Sequence, residues 1–235
     1  MNRRCITVAL GVLVFTPPQW AQSAFSGAVS GRVQGEDGSV ISTGIVTLQH
    51  QDTGPNVKVP WTSKTQAIGP GGSFLFDRLG AGLYRLCVQV PNSTWLGTCD
   101  WGRNPPAATL SRQQPSANLL VRMKKGVAVP VRVDDPGQLL VQHEGKTPGA
   151  HLLIGIGNDA GMFLPAVTTS RDAGGRNQQI VIPYDSPVKV VVNSGFFRLA
   201  DQNGNAIAKT GTGIPVLVPA GSLPTALLVK VTGVD

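Results

Sequence analysis

The stretch that decides the fold is 71-GGSFLFDRLGAGLYRLCVQV-90. Phe74 and Phe76 share one face by period-two alternation, and so do Tyr84, Leu86, Val88 and Val90. The spacing predicts a strand over 73–76, a tight corner over 77–82 and a second strand over 83–90. Two apolar stripes joined by a glycine-bearing corner are how a β-sandwich builds part of its core. Leu79-x-x-Gly82-x-Tyr84 reads as a tyrosine corner, in which the phenol hydroxyl bonds back to upstream backbone and fixes the crossover. In the same strand Cys87 points away from the core face, together with Arg85 and Gln89.

Working upstream, 28–34 and 44–51 read as two further strands, separated by the turn Gly35-Glu36-Asp37-Gly38, and 51–72 as a polar loop region with a short extended piece at 57–62. Downstream, 107–110 and 117–124 complete the first half. The pattern Gly31-Arg32-Val33, Gly38, Val46-x-Leu48, Gly72-x-Phe74-x-Phe76-x-x-Leu79-x-x-Gly82-x-Tyr84 resembles a carboxypeptidase regulatory-like domain over about residues 28–125. The first turn, Gly38-Ser-Val-Ile-Ser-Thr43, lacks that family's usual proline. The resemblance implies a prealbumin-like Greek-key sandwich, similar to transthyretin and to carbohydrate-binding-like sandwiches, and an accessory, adhesive or scaffolding role without an activity of its own.

The second half carries strand signals at 127–133, 139–143, 151–156, 162–168, 178–182, 188–193, 196–199, 214–218 and 226–231, with Asn203-Gly204 as a hairpin turn. Pro130 marks 127–133 as an edge strand. With 29 Gly and 18 Pro in 235 residues, short strands and turns are favoured over long helices. The expected fold class is therefore all-β: a signal peptide over 1–24, a carboxypeptidase regulatory-like sandwich over 25–126, and a second sandwich of no recognised family over 127–235. No internal repeat is legible.

Arg3 and Arg4, an apolar run over 5–15 and the small residues Ala21, Ser23 and Ala24 have the order of a secretory signal, and the run is too short to span a bilayer. Loss of that segment reduces the formal charge from +7 to +5, with 18 basic residues against 13 acidic ones. The basic residues are scattered, and the one cluster (Arg122, Lys124, Lys125) lacks the aromatic interleaving of a nucleic-acid surface. Two cysteines then remain, Cys87 and Cys99. In an exported chain such a pair reads as a disulfide, which for a loop this short stabilises by roughly 3 kcal/mol.

Motifs with chemical potential are weak. Gly155-Ile-Gly157-Asn-Asp-Ala160 lacks the following helix that a dinucleotide site requires, and reads as a strand ending in a turn. Asp201-x-Asn203-x-Asn205 has Ala206 and Thr212 where a calcium loop needs Gly and Glu. His143, Glu144 and His151 are the one conceivable metal set, against the commoner reading of solvent-facing strand residues. No catalytic residue, metal or cofactor is assigned. The loop after Cys87 places Trp95 and Trp101 near an outer surface, with Trp61 as a third indole. They read either as a stacking site for sugar rings or a partner's apolar residues, or as a satellite core around the disulfide. The sequence thus points to an exported, non-enzymatic binding or scaffolding protein of the cell envelope or extracellular space, with a protein or glycan at the cell surface as partner, no nucleic acid and no membrane span after cleavage. The alternatives are a carbohydrate-binding module using the loop tryptophans, and a hydrolase sited in the second half.

Overall fold

The computed structural model describes residues 25–51, 63–101, 104–157, 163–208 and 213–235. The signal segment and the whole extended piece expected over 57–62, Trp61 included, lie outside these residues. The described chain is almost entirely β-structure. Its first half holds β1 (Gly27–Gly35), β2 (Ile45–Gln51), β3 (Ser63–Ala67), β4 (Ser73–Leu79), β5 (Gly82–Gln89), β6 (Ala107–Leu110) and β7 (Ser116–Met123). These form two sheets, ordered β4-β1-β7 and β3-β2-β5-β6, with β1 parallel to β7 and every other pair antiparallel. This is the prealbumin-like Greek-key arrangement. Alternate residues face inward, and Val29, Val33, Val46, Leu48, Phe74, Phe76, Tyr84, Leu86, Val88, Val121 and Met123 fill one core.

The corner between β4 and β5 closes as its residues dictate. The Tyr84 hydroxyl donates to Gly80 O at 2.9 Å, which ties β5 back to the turn it has just left. On the other side of β4, the Gln66 amide of β3 pairs with Leu75 through both its N and its O, each at 2.8 Å, and Lys64 Nζ donates to Asp77 O. Side chains of one sheet thus occupy the free backbone edge of the other, which blocks strand addition there. β3 itself (Ser-Lys-Thr-Gln-Ala) falls where a polar loop was expected. An edge strand exposed on both faces shows no apolar alternation, so periodicity does not register it.

The second half holds β8 (Val127–Asp134), the short helix α1 (Leu139–His143), β9 (Leu153–Gly157), β10 (Phe163–Pro165), β11 (Val167–Asp172), β12 (Gly175–Ile182), β13 (Val188–Asn193), β14 (Phe197–Ala200), β15 (Ala206–Ile207), β16 (Gly213–Val216) and β17 (Leu227–Val234). Its sheets are ordered β11-β12-β8-β17-β14-β15 and β10-β9-β13-β16. Val129, Val131, Val133, Ile154, Ile156, Ile180, Ile182, Val190, Val192, Phe197 and Val229 are among the residues of a separate core. Among the described strands, none of the first half is hydrogen-bonded to one of the second.

Two expectations are corrected here. β8 is not an edge strand: β12 flanks it on one side and β17 on the other. Pro130 is tolerated because the β17 ladder begins only at Val131, opposite Leu227, so the missing N–H breaks no bond on that side. Residues 139–143 are helical rather than extended. Buried Asp135 accepts from Leu139 N at 2.8 Å and from Leu140 N at 2.7 Å, and this carboxylate satisfies two donors that only a helical turn presents together.

The second half also contains a repeat that the sequence hides. Its β12-β8-β17 and β10-β9-β13-β16 reproduce the order and strand directions of β4-β1-β7 and β3-β2-β5-β6, including a parallel pairing of first and last strand. β11 is added at one edge and the β14-β15 hairpin at the other. Such a plan requires only apolar residues at alternate inward positions, and many residue choices meet that requirement, so the two halves share a topology without sharing a sequence pattern.

Candidate functional site: the stapled loop

Cys87 and Cys99 are joined, with Cα atoms 5.1 Å apart. Cys87 lies on the outer face of β5, between the buried Leu86 and Val88, so the bridge folds the following residues back along the strand. Local sequence sets how they turn. Pro91 fixes its own φ, Asn92 takes the left-handed conformation at φ 56°, and the Ser93 hydroxyl donates to Val90 O at 2.6 Å. The chain then returns to β5: Thr98 Oγ1 accepts from Val88 N at 2.9 Å and Thr98 N donates to Val88 O at 3.1 Å. The disulfide closes a loop that is already hydrogen-bonded to its own strand.

The centre of this loop pairs with residues 124–126, which join the two halves. Leu96 N donates to Lys124 O at 2.9 Å, Gly126 N donates to Thr94 O at 2.7 Å, and Trp95 and Lys125 stand opposite one another as an isolated antiparallel pair. Lys125 N also donates to Glu36 Oε1 at 3.1 Å, so the joining segment is held from two sides.

The structure brings Trp95 and Trp101 into the same loop but packs each against a different core. Half-buried Trp95 lies against the first core, with Lys125 Nζ 5.8 Å from its ring centroid, and it takes up the space a side chain at Gly35 would need. Half-buried Trp101 lies against the second core. Leu96, 5% exposed, sits between them: a Cβ at Gly126 would come within 2.6 Å of Leu96 Cδ2 and 2.5 Å of Ile182 O. Sequence reasoning found the disulfide, the tryptophans and the junction at Gly126, but missed Leu96 and the pairing of the loop with 124–126. A glycine immediately before an apolar strand was the available signal, and on its own it reads only as a turn.

The other chemical candidates are occupied by the chain itself. Both oxygens of Glu144 accept from buried Arg176 Nη1, at 3.0 and 2.8 Å, while Arg176 Nη2 donates to Leu152 O. His143 pairs with Thr147 Oγ1 and lies tilted against Phe196 at 5.2 Å between ring centroids, so the His143, Glu144 and His151 set does not assemble around a metal. Among the described residues no group of three or more His, Cys, Asp or Glu has metal-holding geometry. Arg132 joins Asp134 and Asp172, and Asp172 is held below the usual carboxylate range by that guanidinium. Asp201 accepts from Asn203 N, Asn205 N and Asn205 Nδ2, which is hairpin chemistry rather than calcium ligation; its carboxyl is likewise lowered, most by Asn205. Gly155 and Gly157 lie within β9, and no helix opens from the described part of that motif.

No known family matches the chain, and no curated protein does. Solved structures that it resembles include a streptococcal ancillary pilin (13% identity, 89% of this chain and 63% of that one, TM-score 0.42). The minor pilin GBS52 of Streptococcus agalactiae is similar at 10% identity, over 89% of this chain and 98% of that one, with TM-score 0.42. A Pseudomonas aeruginosa protein described as carbohydrate binding matches 43% of this chain and 90% of its own at 16% identity, with TM-score 0.27. The chain spans under two thirds of the streptococcal ancillary pilin. No helix among the described residues is long and apolar enough to cross a membrane.

Proposed function

We propose that this is an exported, non-enzymatic binding or scaffolding protein of the cell envelope or extracellular space. It would consist of a carboxypeptidase regulatory-like unit over 25–126 and a second sandwich over 127–235. The observation that carries this reading is the Cys87–Cys99 disulfide, a bond that persists where the surroundings are oxidising, fastened across an otherwise ordinary sandwich. The non-enzymatic part is supported by the carboxylates of the second half. Asp134, Asp135, Glu144, Asp172, Asp185 and Asp201 each bond to this chain's own arginines or backbone N–H groups, an arrangement that builds turns and pins edges rather than presenting an acid and a base.

The test is a panel of glycosidase, esterase and peptidase substrates together with a glycan array, run on the purified oxidised protein. We expect no turnover. Turnover abolished by Glu144→Gln would replace this reading with the hydrolase one. Glycan binding abolished by Trp95→Ala, with the fold intact, would replace it with a carbohydrate-binding module.

A further inference from the structure

We propose that the loop closed by Cys87–Cys99 is a clamp that fixes the orientation of the two sandwiches, so that the shape of the whole protein depends on the disulfide. The joining segment is only Lys124-Lys125-Gly126, between the end of β7 and the start of β8. A segment of this kind, ending in glycine, would by itself leave two sandwiches free to swing. Here it is converted into a paired strand. Thr94 O and Leu96 N bond to Gly126 and Lys124, and the indole of Trp95 is packed on the first core beneath Lys125.

Beyond this pairing the loop reaches across the junction. Leu96 closes over Gly126 toward Ile182 of β12, and Trp101, two residues past Cys99, packs on the second core. Trp101 N also donates to Gly97 O at 3.0 Å, which sets the indole relative to Leu96. The bridge anchors this wedge to β5 between Leu86 and Val88, both fully buried in the first core. Cutting it removes the covalent tie beside Trp101 and leaves the wedge held to the first unit by the Thr98–Val88 hydrogen bonds and by the chain that runs on to β6. The inference rests on the two-unit reading but not on the absence of catalysis: enzymatic turnover would sink the proposed function and leave the clamp untouched.

Residual dipolar couplings of backbone amides in weakly aligned, isotopically labelled protein report the orientation directly. In the oxidised protein, amides of β1–β7 and of β8–β17 are expected to fit one alignment tensor. Reduction is expected to split this fit into two tensors of unequal magnitude, while each unit still fits its own coordinates. Trp101→Ala, with the disulfide intact, is expected to do the same, and Trp101→Phe to retain most of the common fit. A common tensor that survives in Trp101→Ala overturns the proposal, as does one that survives reduction. Should reduction unfold the first unit, Trp101→Ala decides by the same criterion.

Discussion

Tyr84 and Asp135 show how single polar contacts fix two corners of this molecule. The Tyr84 ring belongs to the first core, but its hydroxyl has the separate task of holding Gly80. Tyr84→Phe keeps the ring and removes that bond, so we expect a loss of about 1 kcal/mol in chemical unfolding of the first unit with no change in slope. Asp135 is buried, and its two oxygens are the partners of Leu139 N and Leu140 N. Asp135→Ala strands both donors and is expected to cost about 1–3 kcal/mol, with amide exchange in α1 accelerating before that in β12. Tyr84 was legible in the sequence because its corner has a fixed spacing. Asp135 was not: Asp134-Asp135-Pro136-Gly137 reads as a turn, and nothing in those letters tells which of the two aspartates turns inward.

At the scale of elements, the edge of the six-stranded sheet is tied down electrostatically. The Arg132 guanidinium on β8 reaches over β12 to Asp172 on β11, and its Nε also donates to Asp134 Oδ1 on its own strand. Arg132 holds the Asp172 carboxyl below its ordinary value. A carboxyl lowered on folding contributes fully above its unfolded value of about 3.9 and loses that contribution as pH falls through the lower folded value. Carbon-detected titration should therefore place the Asp172 midpoint below that of an ordinary aspartate, and Arg132→Gln should return it to the ordinary range. A midpoint unmoved by that substitution would show that the pair is not formed in solution. Strands with a buried face, such as β1, β5, β12 and β13, could be read from alternation alone. β3 and α1 could not, because in one case both faces meet solvent and in the other the structure is decided by a side chain four residues upstream.

At the scale of the whole molecule, the chain is two copies of one plan, and among the described residues the one disulfide closes a loop of the first copy that pairs with the segment joining the two. The sandwich class was readable because glycine, proline and period-two stripes leave few other options. The repeat and the clamp were not, since both depend on which loops meet in space. What the account asks of this molecule is that it be exported and oxidised, and intact mass measures both at once. Protein recovered from outside the cytoplasm of expressing cells, without added oxidant, should begin near residues 22–25 and be two hydrogens lighter than its dithiol form. A recovered chain that retains Arg3, or that carries free thiols at Cys87 and Cys99, would contradict it.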